Sequence, residues 1–110
     1  MTHLTYLACP YSHPDPDVMA ERVRKADAYA VMLFEQGFIP YSPLSHWHRP
    51  AQAHNMPTNA NHWIEANRTM LLRCDSLHVL KLDGWRDSPG VAMEIQWAED
   101  ANMPIHWLET

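Results

Sequence analysis

Leu77-His78-Val79-Leu80-Lys81-Leu82, then Asp83-Gly84-Trp85-Arg86-Asp87, then Ser88-Pro89-Gly90-Val91-Ala92-Met93-Glu94-Ile95-Gln96-Trp97-Ala98 read in succession as strand, turn and helix. Ser88 suits the N-cap and Pro89 the first helical position. Val91, Ile95, Ala98 and Ala101 recur at spacings of three and four, an apolar stripe on a helix over residues 88–102. The alternation extends toward both termini. Residues 3–8 predict a first strand. Residues 17–36 predict a helix with Met19, Val23, Ala26, Ala30 and Leu33 on one face, and Gly37 fits its C′ position. Residues 38–41 predict a second strand, residues 61 or 62 through 74 a second helix, and residues 104–108 a fourth strand. Residues 42–61 read as a long loop rich in His, Pro and Trp.

The order β-α-β-loop-α-β-α-β implies a single α/β domain over residues 1–110, built on an open parallel sheet with right-handed crossovers. Ligands then bind outside the carboxyl ends of the strands, at the loops over residues 9–16, 42–61 and 83–88. Formal charge is −5, with no basic run, which argues against a nucleic-acid polymer but leaves room for a single nucleotide. No apolar stretch is long enough for a transmembrane helix, so no membrane association is expected. The N-terminal residues lack a basic segment followed by an apolar one, so the expected compartment is the cytoplasm. Cys9 and Cys74 are too few for a disulfide framework.

Glu94 lies inside the apolar stripe, three residues after Val91 and four before Ala98. A carboxylate facing a core is costly unless it is paired or used. Asn67 repeats the anomaly on the second helix, among Trp63 or Ile64, Met70, Leu71 and Cys74. Asn67 alone reads equally well as a satisfied core polar group; for Glu94 that reading is the weaker, because a buried charge costs more than a buried amide. Two of them on adjacent helices suggest a shared polar site. Tyr6 ends the first strand region, and a phenol can orient a carboxylate; a core ring is the plainer reading. Cys9 and Tyr11 occupy the loop that follows, and no neighbour in sequence activates the thiol. Ser88, with the amides of Gly90 and Val91, predicts an anion site at a helix N-terminus. Trp47, between His46 and His48, offers a stacking face flanked by imidazoles, so the loop reads as a lid over a planar ligand. His46, His48, His54 and His62 match no established metal-ligand spacing, and no metal is expected. The charges of Glu21, Arg22, Arg24 and Lys25 read as a solvated helix face.

Tyr6-Leu7-Ala8-Cys9-Pro10-Tyr11, Cys74-Asp75-Ser76-Leu77-His78-Val79-Leu80, Ser88-Pro89-Gly90-Val91-Ala92-Met93-Glu94 and Pro104-Ile105 follow one another along nearly the whole chain. The ordered set resembles the nucleoside 2-deoxyribosyltransferase-like superfamily. The resemblance implies a flavodoxin-like (Rossmann-like) sheet of about four strands with helices on both faces. It also implies hydrolysis or transfer at the N-glycosidic bond of a nucleotide or nucleoside, without a cofactor, in a homodimer or larger homo-oligomer. On it, Glu94 becomes the nucleophile at the anomeric carbon, Tyr6 its orienting partner and Ser88 a contact of the 5′-phosphate. It departs from the family pattern at Asn67, where a catalytic Asp is usual, and at Cys9, where a Gly is usual. Asp83, Asp87 or a histidine of the 42–61 segment then has to protonate the leaving base. Asn67 also leaves a rival expectation, a non-catalytic nucleotide-binding or sensor module of the same fold.

Overall fold

The computed structural model describes residues 2–110; Met1, at the head of the segment read for a signal peptide, lies outside them. The described elements run β1 (Leu4–Ala8), α1 (Pro16–Glu35), β2 (Ile39–Tyr41), α2 (Pro43–Ala53), α3 (Ala60–Leu71), β3 (Ser76–Leu80), a short 3-10 turn (Trp85–Asp87), α4 (Pro89–Asp100) and β4 (Ile105–Leu108). The four strands form one all-parallel sheet in the order β2-β1-β3-β4, the flavodoxin-like arrangement. Tyr6 pairs with Leu77 and Leu77 with Ile105, so the two central strands share one register.

Alternation along β1 and β3 divides the core between the two faces of the sheet. Tyr6, Ala8, Leu77 and Val79 pack against Leu71, Cys74, Val91 and Ala98, from the α3 and α4 side. Leu7 and Leu80 pack against Val23, Ala26 and Leu33 of α1 and Leu44 of α2. Fully burying one such leucine stabilises the fold by roughly 1.5–3 kcal/mol. Along α4 the inward residues are Val91, Glu94 and Ala98; Ile95 is half-buried, and Ala101 is exposed, one residue past the last helical turn, rather than part of the stripe.

Near the amino edge of the sheet, polar side chains replace the apolar core on the α1 face. The ring Nε2 of His3 lies 2.8 Å from Ser76 Oγ, which donates to Thr5 Oγ1 at 2.8 Å; Thr5 Oγ1 lies 2.6 Å from His78 Nδ1. His78 in turn stacks on His106, with ring centroids 4.6 Å apart. Burial pushes His78 down to about 4, aided by the nearby His106 and His3, so the ring is neutral across the physiological range.

One sequence expectation fails here. The segment over residues 42–61 is not a structureless loop: α2 occupies half of it. Ser42 Oγ accepts from the Ser45 amide at 3.2 Å as an N-cap, and Pro43 takes the first helical position. Leu44 and Ala51, two turns apart, are buried. Pro50 sits inside the helix and removes one backbone donor near its end, which is why the segment reads as irregular in sequence.

Gly37 closes α1 with φ +100°, and the amides of Gly37 and Phe38 return to the carbonyls of Phe34 and Leu33, each at 3.1 Å. An alanine Cβ there would meet nothing within 4 Å, so only the left-handed backbone opposes it. Gly37→Ala is expected to lower stability by about 1–2 kcal/mol, measurable as a shifted midpoint in urea unfolding with an unchanged slope.

Candidate functional site

At the carboxyl edge of the sheet, β1 feeds α1 on one face and β3 feeds α4 on the other. The chain diverges between these two paired strands, which is where ligands bind in open α/β sheets. A cavity of about 940 Å³ opens there. Its walls come from the loop after β1, the first half of α1, the inner sides of α2 and α3, the turn after β3 and the first turns of α4.

Glu94 lies in that wall and is only 6 % exposed. The fully buried hydroxyl of Tyr6 donates to its carboxyl from the middle of β1. Burial pushes Glu94 up to about 8, and the hydrogen bond from Tyr6 only partly offsets it. Tyr6 itself is held well above the usual phenol range, chiefly by burial and then by the neighbouring Glu94. Asn67, on α3, also lines the cavity; its Oδ1 is buried and has no hydrogen-bond partner among the described residues. A buried carbonyl oxygen without a donor costs about 1–3 kcal/mol, which a ligand hydroxyl or amine would recover. The two inward polar residues of α3 and α4 therefore reach one space.

Ser88 caps α4 by accepting from the Val91 amide at 3.2 Å. This corrects the expected anion site: the Val91 amide is already used, and its side chain belongs to the core. Pro89 has no amide hydrogen, so the Ser88 hydroxyl hydrogen and the Gly90 amide are what α4 offers a ligand; Ser88 and Gly90 both line the cavity.

Tyr11 is half-buried, and its hydroxyl lies 2.7 Å from His48 Nδ1. Burial raises its phenol above the usual range. Trp47 and His48 line the cavity, and Trp47 packs on Trp63 with ring centroids 5.2 Å apart. Trp63 is held in turn by its indole donating to the Pro57 carbonyl at 2.9 Å. His46 does not line the cavity: it packs on Tyr41 and Trp47 outside it. Residues two apart on a helix diverge by about 200°, so His46 and His48 cannot share a site. Asp83 and Asp87 lie on the exposed rim. Cys9 faces the cavity, but burial pushes its thiol up to about 12 against the pull of Arg22, and Glu94 adds to the rise. It therefore remains a protonated thiol and no nucleophile.

Sequence reading misplaced Arg22. It is not on a solvated face: its Nη1 donates to the backbone carbonyls of Tyr11 and Ser12 at 3.2 and 3.1 Å, and its Nη2 to the backbone carbonyl of Asp83 at 3.0 Å. Gly84, with φ +90°, lets the turn pass beneath it; a Cβ there would lie 2.8 Å from Nη2. No carboxylate lies within ion-pair distance of Arg22 among the described residues. Nor do those residues hold a group of three or more His, Cys, Asp or Glu placed to bind a metal ion.

A family model matches residues 3–110. The chain belongs to the family described as "Domain of unknown function (DUF1937)". No curated protein matches it. Membership covers the whole cavity and assigns it no chemistry.

Glu94 and His78 are buried groups with opposite effects on the pH dependence of stability. A raised folded-state value gives Glu94 a contribution that is complete below 4.5 and lost as pH rises through about 8. A lowered value gives His78 a contribution that is complete above 6.5 and lost as pH falls through about 4. Glu94→Gln should therefore flatten the fall in melting temperature on going from about pH 6.5 to pH 8. A scanning-fluorimetry series of both proteins checks this, and parallel curves would contradict the placement of the carboxyl.

Proposed function

We propose that the protein cleaves the N-glycosidic bond of a nucleoside 5′-phosphate, with Glu94 as nucleophile. One observation carries the reading: a carboxyl buried in the wall of the cavity and held by a phenol from the central strand. A core does not require such a group, and keeping it ionisable at a ligand-facing position is costly. The resemblance to the nucleoside 2-deoxyribosyltransferase-like superfamily, which aligns Glu94 and Tyr6 with a nucleophile and its orienting partner, supports the same roles.

In this mechanism an oxygen of ionised Glu94 attacks the anomeric carbon. The carbon–nitrogen bond breaks, and its electron pair leaves with the base. Positive charge builds on the sugar in the transition state, and the carboxylate opposite stabilises it before the ester forms. Water, or an incoming base, then displaces Glu94 from the sugar. Tyr6 aims the attacking oxygen. Trp47 stacks on the base, and Ser88 with the Gly90 amide binds the phosphate. The leaving base takes a proton from Asp83, Asp87 or His48, all of which line the cavity. Asn67 turns its unpartnered oxygen to a sugar hydroxyl or to an amino group of the base.

That same Asn67 favours a second reading, a nucleotide-binding module without turnover, because an amide cannot serve as the general acid. Release of free base from a panel of nucleosides and nucleoside 5′-monophosphates, followed by chromatography, separates the two. Monophosphates should react faster than nucleosides, and Glu94→Ala should abolish release while leaving the protein folded. Because attack needs the carboxylate, kcat/KM should rise with pH toward about 8. Binding of a nucleotide without release of base by the wild-type protein would establish the second reading.

Self-association is part of the same proposal. The flanking strands β2 and β4 each have one unpaired edge, and Val31, Phe34, Ile39 and Trp107 are exposed apolar side chains. Light scattering at micromolar concentration should give a mass of at least a dimer; a monomer would refute this part.

A further inference from the structure

The cavity is larger than base, sugar and one phosphate need. At about 940 Å³ it lies near the top of the range for small-molecule sites, roughly 300–1,000 Å³. It also crosses the sheet edge. Asn67, Glu94 and Ser88 line it from the α3 and α4 side, while Val18, Arg22 and Lys25 line it from α1. Cys9 lies between the two sides, close enough to both Arg22 and Glu94 for each charge to act on its thiol.

Charge is distributed unevenly between the two sides. The start of α4 offers a hydroxyl and one amide but no cationic side chain. Arg22, across the turn that begins at Asp83, has given three of its five N–H donors to backbone carbonyls and has no carboxylate partner among the described residues. Its other two donors have no partner among the described residues, and the side chain lines the cavity. Lys25 lies one turn further along α1 on the same wall. Of the acids nearby, Glu21 is taken by Arg24. Asp83, Asp87 and Lys25 are all exposed, so solvent screens the two acids and the lysine alike, and half-buried Arg22 is the least screened charge of the group.

We infer that the ligand carries a second phosphoryl group, with Ser88 and Gly90 holding the first and Arg22 and Lys25 the second. The substrate class is then a nucleoside 5′-diphosphate or a dinucleotide joined through a diphosphate, rather than a monophosphate alone. The inference rests on the reading of Glu94 as the group at the sugar, and it adds Arg22 and Lys25 as specificity-determining residues. Arginine suits the task because its planar fork binds phosphate oxygens in pairs.

Calorimetric titration tests it with the 5′-mono- and diphosphates of adenosine, guanosine, cytidine and uridine, with NAD as a diphosphate-linked dinucleotide, and with inorganic diphosphate. For at least one base the diphosphate or the dinucleotide should bind about tenfold tighter than the monophosphate. Arg22→Gln and Lys25→Gln should each reduce that ratio at least about threefold. Added salt should reduce it as well. Inorganic diphosphate binding as tightly as the nucleotides would identify a plain anion site and overturn the inference. So would a ratio near one in the wild-type protein, or a ratio that neither variant alters. If Arg22→Gln fails to fold, Lys25→Gln and the salt series decide. Base release from the same samples separates the two readings. Release from monophosphates with no diphosphate preference overturns this inference and leaves glycosidic cleavage standing. A diphosphate preference with no release does the reverse. Failure of every nucleotide to bind overturns both.

Discussion

The hydroxyl of Tyr6 donates to Glu94 from the centre of the sheet, and the arrangement of the site follows from that bond. Tyr6 is locked by its pairing with Leu77 and by the apolar side chains around it. The carboxyl it holds is fixed to about the precision of a β-ladder, although it belongs to a helix. α4 has to lie across β1 and β3 at the height where Glu94 meets the phenol. Ser88 and Gly90 are thereby placed at the carboxyl edge of the sheet, beside the turn that Arg22 covers. Removing the phenol would leave a buried acid with no donor, a costlier state than the pair.

Much of this was legible in the sequence because it rests on periodicity. Glu94 between Val91 and Ala98, and Asn67 within an apolar face, are polar residues at spacings that demand burial, and both face the cavity. The parallel sheet was legible because strands and helices alternate along the chain, whereas its order, β2-β1-β3-β4, comes from the structure. Three features were not. α2 was hidden by Pro50 and by side chains with weak helix preference; the Ser42 cap, Pro43 at the first position and burial of Leu44 and Ala51 together make that stretch a helix. His46 and His48 could not be told apart without knowing that they lie on a helix. Arg22 was invisible because its acceptors are backbone carbonyls, distant in sequence, that any residue could supply.

The buried titratable side chains place two requirements on the protein. His78 has to stay neutral to keep the chain of contacts from His3 to His106, and Glu94 has to give up its proton for the proposed attack. The two lie on opposite faces of the sheet. Acid threatens the first and mild base unlocks the second, so fold and chemistry set separate limits on the working range.

The loop after β1 is tied to three other parts of the rim. Tyr11 meets His48 on α2, Ser12 donates to the Thr58 carbonyl ahead of α3, and Arg22 binds both of their carbonyls together with that of Asp83. These ties turn four separate segments into a single braced frame. Such a frame is formed before the ligand arrives, so little ordering remains to oppose binding. It also means that the rim resists piecemeal redesign, because loosening one strut slackens the others. Changes in ligand preference are better sought in the walls, at Trp47 and Met93, whose side chains make none of these ties.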